Sequence, residues 1–269
     1  MLFISIFIIS LDLNIICSDI TTGTLDIPEG VTEIPSSFLS NCKQLVKINF
    51  PEGLETIGNF SFKGCSNLVG PLTFPKSLKY IEDQAFQMCS KLTGSLIFPD
   101  SLIFIGSGAF QGCQALDGSI VFPESLTTIS SYAFSFCTKL IGSIVFPEKL
   151  EFIGQSAFNG CKTLSGSIVL PNLLTTIETS TFNGCAGLTG SLFIPKSILT
   201  IEESAFTGTS FEKITYEGST HPTCPNAFPQ KTDTYSPDIL VPEDFDAEEF
   251  CGFPVTEKIA IEKSSSEPI

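Results

Sequence analysis

The chain has no tryptophan, one histidine, four tyrosines and two methionines in 269 residues. It is also poor in positive charge, with 14 Lys and Arg against 29 Asp and Glu and a formal net charge of −15. Phosphate backbones are gripped by clustered Lys and Arg, so this balance argues against a nucleic-acid partner. A single histidine, His221 beside Pro222, gives little support to Ser-His-Asp or Cys-His catalysis. Phosphate-binding glycine motifs following a strand are also missing, so no cofactor and no small-molecule substrate are expected. Against these shortages stand 25 phenylalanines and 10 cysteines.

The N-terminus reads MLFISIFIISLDLNIICSDI. Leu2 to Ile9 has the length of a signal-peptide apolar core and falls short of the roughly 20 residues a membrane span needs. The region before it carries no Lys or Arg, which is atypical of a signal peptide, and a buried N-terminal strand is the competing reading. Cys17 and Ser18 offer small residues for cleavage, giving a signal peptide over 1–18. The C-terminal TEKIAIEKSSSEPI has no hydrophobic tail, so neither a transmembrane nor a lipid anchor is expected there.

Phenylalanine and cysteine both follow a repeat. Residue–proline pairs recur at Ile27-Pro28, Phe50-Pro51, Phe74-Pro75, Phe98-Pro99, Phe122-Pro123, Phe146-Pro147, Leu170-Pro171 and Ile194-Pro195, so after a first step of 23 the period is 24 without slippage. Cys42, Cys65, Cys89, Cys113, Cys137, Cys161 and Cys185 keep this beat, as do Phe62, Phe86, Phe110, Phe134, Phe158, Phe182 and Phe206. A strict period without insertions means that each unit meets its neighbours at equivalent positions, which defines a solenoid. Within one unit, Leu126, Ile129, Ala133, Phe134, Cys137, Leu140, Ile144 and Phe146 are assigned inward, and Ser143 and Val145 outward by the two-residue strand alternation. Burying seven large apolar side chains yields roughly 10–20 kcal/mol, whereas fixing 24 backbone units costs roughly 24–48 kcal/mol. One coil cannot stand alone, so stacking must complete the burial.

The glycine of Leu-x-Gly recurs at Gly70, Gly94, Gly118, Gly142, Gly166 and Gly190, and the first and last units lack it. It lengthens the spacing by one residue, as a bulge or tight bend requires.

The repeated phrase AFxGCxxLxGSIxFPxSLxxI resembles the BspA-like leucine-rich repeat of surface and secreted proteins in bacteria and protists. The likeness covers about Ile27 to Tyr216. It departs at Leu39, which stands for the repeat Phe in the first unit, and at Thr209, which stands for Cys in the last. The resemblance implies a leucine-rich-repeat solenoid of about eight coils, residues 19–216, with a curved parallel β-sheet and short turns or helical segments on the other side. It also implies use in adhesion or protein binding, and its protist members suggest that 217–269 forms a C-terminal cap and acidic tail.

Cysteines 24 apart on a solenoid form a line, not the tetrahedron a zinc site needs, so no metal is expected. A chain of disulfides is the second reading. Equivalent side chains on coils stacked at about 4.8 Å have Cβ atoms too far apart for the ~3.8 Å a disulfide prefers. The favoured reading is small buried hydrophobes, unreactive because they are shielded. Cys224 and Cys251 lie outside the array in a Pro-rich acidic segment and read as a disulfide in a secreted protein. It would close a loop of roughly 27 residues, for a stabilisation on the order of 3 kcal/mol.

Of the remaining polar features, the lone His221 reads as a solvated loop residue. Glu202-Glu203, Glu248-Glu249 and the stretch from Glu243 to Glu249 read as surface charge, without the ligand spacing of a calcium loop. Asn59-Phe60-Ser61 is a candidate N-glycosylation site. The outward strand row is Asn49, Thr73, Ile97, Val121, Val145, Val169 and Phe193. Its apolar half, Ile97 to Phe193, admits two readings: plain β-propensity on an exposed ladder, or a partner-binding stripe. The expected function is a non-enzymatic secreted or cell-surface module that binds a protein partner (host, matrix or self). The alternative is a structural protein that self-assembles in a surface coat without a specific ligand.

Overall fold

In a computed structural model, residues 13, 15–232 and 234–260 are described. The apolar run Leu2–Ile9 and the tail from 261 lie outside them. Among the described residues no helix is long and apolar enough to cross a membrane. The chain is a parallel solenoid of about nine turns with almost no helix.

Each turn has three faces. The first carries the Ile-x-Phe strands. Thr24–Asp26 pairs with Lys47–Asn49, Leu96–Ile97 with Ile120–Val121, and Ile168–Val169 begins a run through Ser191–Ile194 and Lys213–Tyr216. Every pairing is parallel and in register, one coil apart. The ladder is interrupted at Leu72–Phe74 and at Ile144–Phe146. At the first interruption Pro71 stands where other coils have Ser, and proline has no amide to donate.

The second face is a run of two-residue strands at Leu-x-x-Ile. Glu33–Ile34, Thr56–Ile57, Tyr80–Ile81, Phe104–Ile105, Thr128–Ile129 and Phe152–Ile153 form one six-stranded sheet. The sequence places Leu126 and Ile129 in a short extended or turn segment, and the structure makes its end a strand.

The third face is built from turns at Ala-Phe. Along one coil the amides alternate. Those of Tyr132, Phe134 and Phe136 donate to Gln155, Ala157 and Asn159 of the next coil at 2.7–2.9 Å, while those of Ala133, Ser135 and Cys137 bond within their own coil. Tyr132 and Phe136 make this possible by adopting φ of 61° and 60°. A left-handed conformation costs a non-glycine residue roughly 1–2 kcal/mol, and the forward hydrogen bonds offset it. The same pair of positions is left-handed at Gln84 and Met88 and, with glycine in the second place, at Ser156 and Gly160.

The repeat glycine divides between two uses. Gly142 turns the chain with φ of 83°. Gly118 has ordinary φ, but a Cβ there would lie 2.4 Å from the Ser95 amide nitrogen.

Phenylalanine fills the interior in two columns. Phe62, Phe86, Phe110, Phe134, Phe158, Phe182 and Phe206 stack with centroids 5.3–5.5 Å apart. Phe50, Phe74, Phe98, Phe122 and Phe146 form the second column at 5.4–6.1 Å and meet the first at steep angles, as at Phe122–Phe134. Offset stacks and edge contacts both suit the ring quadrupole.

The repeat pattern extends past Tyr216. Asn226-Ala227-Phe228 supplies a further Ala-Phe pair, only 22 residues after Phe206. Phe206 donates its amide to Ala227, and the rings of Phe206 and Phe228 lie 4.9 Å apart. Asp238–Pro242 and Glu257–Ile259 then extend the first sheet by two further parallel strands. These two strands therefore continue the stack.

Phe134→Ala should cost about 3–5 kcal/mol in chemical denaturation, as expected for emptying a sealed aromatic column. Phe136→Ala, two residues away on the exposed side, should change stability by only about 0.5 kcal/mol.

Candidate functional site

The outward row of the first face is set by strand alternation. Ile168 and Leu192 point into the core with no exposed surface, so Val169 and Phe193 must face out. Ile97, Val121, Val145, Val169 and Phe193 are 63, 49, 75, 60 and 39 % exposed. In-register pairing places Ile97 beside Val121 and Val169 beside Phe193. Toward the N-terminus the row turns polar, with Asn49 donating to the Asp26 carboxylate at 2.6 Å. At the other end Thr215 and Leu240 are buried, so the exposed apolar stripe ends at Phe193.

The repeat cysteines line the wall behind the Phe column. Cys65, Cys89, Cys113, Cys137, Cys161 and Cys185 are free and fully buried. Each thiol donates to a carbonyl of the preceding coil at 3.1–3.2 Å; Cys137, for example, donates to Phe110. The side chain is thus a hydrogen-bond donor as well as an apolar filler, which periodicity alone did not reveal. Burial pushes the thiols of Cys65 and Cys185 up to about 12, and it also raises Cys137 and Cys161 strongly. Thr209, in the last unit, turns its hydroxyl to Phe206 of its own coil instead.

Cys42 departs from the reading as unpaired wall packing. It is joined to Cys17, with Cα atoms 5.3 Å apart. A short 3₁₀ turn, Cys17–Asp19, lies over the first coil and offers a sulfur from outside the repeat. The geometric objection to bonding between equivalent positions does not apply to it. Cleavage after Ser18 would remove Cys17 and this bond.

The last turn gathers chemistry that the sequence scatters. Cys224 and Cys251 are disulfide-bonded, with Cα atoms 5.6 Å apart. The lone histidine, His221, lies beside them and is exposed, as a loop residue, while its ring is held by hydrogen bonding. Its Nε2 accepts the Cys251 amide at 3.1 Å and lies 4.0 Å from Cys224 Sγ. Its ring rests near Phe245 and Phe250. Among the described residues these three form the one close group of histidine and cysteine side chains, with both sulfurs committed to the disulfide. Proximity of His221 to Cys251, 30 residues away, had no sequence signal.

The other candidates are placed as follows. Asn59 is half-buried, and its Oδ1 accepts the Asp83 amide at 3.0 Å; Ser61 is buried and its hydroxyl donates to Gly58. Glu202 stands one coil from Glu178, whose carboxyl is raised by burial and by Glu202. Lys258 and Glu248 form an ion pair at 3.7 Å.

A sequence profile described as the BspA type leucine rich repeat region matches residues 16–141, 70–189 and 116–235, in six copies. The chain belongs to this family. No curated protein matches this BspA-type chain. Among solved structures, it is similar to a leucine-rich repeat protein from Bacteroides ovatus, at 25 % identity over 85 % of this chain and 64 % of the other, with a TM-score of 0.55. It is also similar in fold to a leucine rich cell surface protein from Faecalibacterium prausnitzii, at 24 % identity over 85 % and 70 % of the two chains, with a TM-score of 0.51. The BspA-type chain therefore spans less than two thirds of the Bacteroides protein.

In the native protein the six repeat thiols should resist maleimide at pH 8 and all six should label after unfolding. Mass spectrometry of the labelled protein checks this; native labelling at Cys113 or Cys137 would show that the wall is open.

Proposed function

We propose that this BspA-type protein is a non-enzymatic binding module, secreted or held at the cell surface, that engages a protein partner through Ile97, Val121, Val145, Val169 and Phe193. The observation that carries this reading is the stripe itself: five large apolar side chains, all exposed, at the outward position of successive coils, with Ile97 paired to Val121, Val169 paired to Phe193 and Val145 in the break between them, preceded by polar Asn49 and Thr73 and followed by buried Thr215. Exposed single hydrophobes are ordinary, but a contiguous apolar row marks an interaction surface. A solenoid suits this use because coil stacking holds the row straight without help from the exposed side chains. Membership of the leucine-rich-repeat family supports a protein-interaction role.

Two disulfides support an oxidising compartment. Removal of a leader is compatible with the Cys17–Cys42 bond only where the cut falls ahead of Cys17. A glycan at Asn59 would be added before its coil closes, because Ser61 is sealed in the fold.

Val121→Thr, Val145→Thr and Val169→Thr together should lower capture of host or matrix proteins at least about 10-fold while leaving the melting temperature within a few degrees. Threonine keeps the β-branched shape and removes the apolar contact. Undiminished capture by the triple variant sinks the reading. Light scattering of the wild type and the variant tests the alternative of self-assembly through the same face.

A further inference from the structure

The last turn holds a disulfide arranged differently from the one at the first. Cys251 sits at the tip of a two-residue hairpin between the antiparallel strands Glu249–Phe250 and Phe253–Pro254. Cys251 and Gly252 have φ of 51° and 89°, the signature of a tight primed turn, whose first position normally takes Asn, Asp or Gly. Cysteine is disfavoured in that left-handed conformation. Both half-cystines line an open cleft of about 600 Å³ together with His221, Asn226, Lys231 and Glu249. The ring nitrogen of His221 lies 4.0 Å from Cys224 Sγ. Because that nitrogen accepts the Cys251 amide, it carries a lone pair and the proton is on Nδ1. Cys17–Cys42 has none of these features: Cys42 is buried in the wall and no imidazole adjoins it.

We infer that Cys224–Cys251 is an exchangeable disulfide, a site at which a small external thiol of about tripeptide size forms a mixed disulfide with the protein. The geometry sets the direction. His221 Nε2 releases the Cys251 amide and takes the proton of the incoming R–SH on its single lone pair. The resulting thiolate attacks Cys251 Sγ, a new Cys251–S–S–R bond forms, and the Cys251–Cys224 bond breaks. The electron pair leaves on Cys224 Sγ, 4.0 Å from Nε2, and His221 returns the proton to it. The balance is R–SH plus the intramolecular disulfide giving the mixed disulfide plus Cys224–SH, and no further reductant is needed. Exchange proceeds through such mixed disulfides, at a rate set by thiolate supply and leaving-group stability, and a positioned base and acid accelerates both halves. The site is separate from the apolar stripe and does not depend on its role.

The test uses the full chain with reduced glutathione at neutral pH, quenched with maleimide and mapped by mass spectrometry. Glutathione should appear on Cys251 and maleimide on Cys224, at least about 10-fold faster than any opening of Cys17–Cys42. His221→Gln keeps an acceptor for the Cys251 amide but cannot carry the proton, and should slow the reaction at least about 10-fold with an unchanged melting temperature. Equal rates at the two disulfides, an unslowed His221→Gln variant, or glutathione on Cys224 would each overturn the proposal. Repeating the assay with a thiol-bearing folded protein in place of glutathione should give slower capture, since the cleft admits a small thiol; faster capture by the protein thiol overturns that size assignment.

Discussion

Every other feature depends on the in-register stacking of equivalent residues one coil apart. The Phe134 amide reaches Ala157 only because Phe110 reaches Ala133 in the same way, and each ring lies on its own counterpart. A coil does not bury its aromatic side chain against itself; its neighbours above and below do that. The apolar area and the forward amides are therefore shared between coils. This explains the strict length of 24 residues: an insertion in one coil would shift the amides, the Phe column and the thiol row together.

The same rule separates packing from binding. Inward positions are constrained on both sides by identical partners, so they repeat. Outward positions touch solvent and are free to differ, as Asn49, Thr73 and Phe193 do within one row. The chemistry lies at the ends, where stacking runs out. There Cys17–Cys42 ties the first turn, and Cys224–Cys251 ties the last beside the only histidine. Glu82 and Glu178 are partly buried, and burial is the chief reason their carboxyls are raised.

Much of this was legible in the sequence because periodicity reports burial directly. Phe, Cys and Leu recur where the wall needs them, and the alternation around Ile144 puts Val145 outside. What stayed hidden had no period to carry it. Ala227-Phe228 continues the column after a step of 22, out of phase with the rest. Cys17 precedes the first repeat and pairs with a residue that looked like any other in its row. His221 meets Cys224 and Cys251 only because parallel strands fold the segment after Tyr216 back onto the stack. The thiol-to-carbonyl bonds were invisible because a donor and a hydrophobe occupy the same place in the pattern.

The most direct test of coil stacking as the organising interaction is removal of one whole coil. Deleting 123–146 joins Phe122 to Pro147 and restores every column with one member fewer. Thermal denaturation followed by circular dichroism should show a single cooperative transition at a modestly lower temperature, as nearest-neighbour stacking requires. Deleting only 123–134, half a coil, should abolish that transition. If the two deletions are equally damaging, register between equivalent coils is not what holds this protein together.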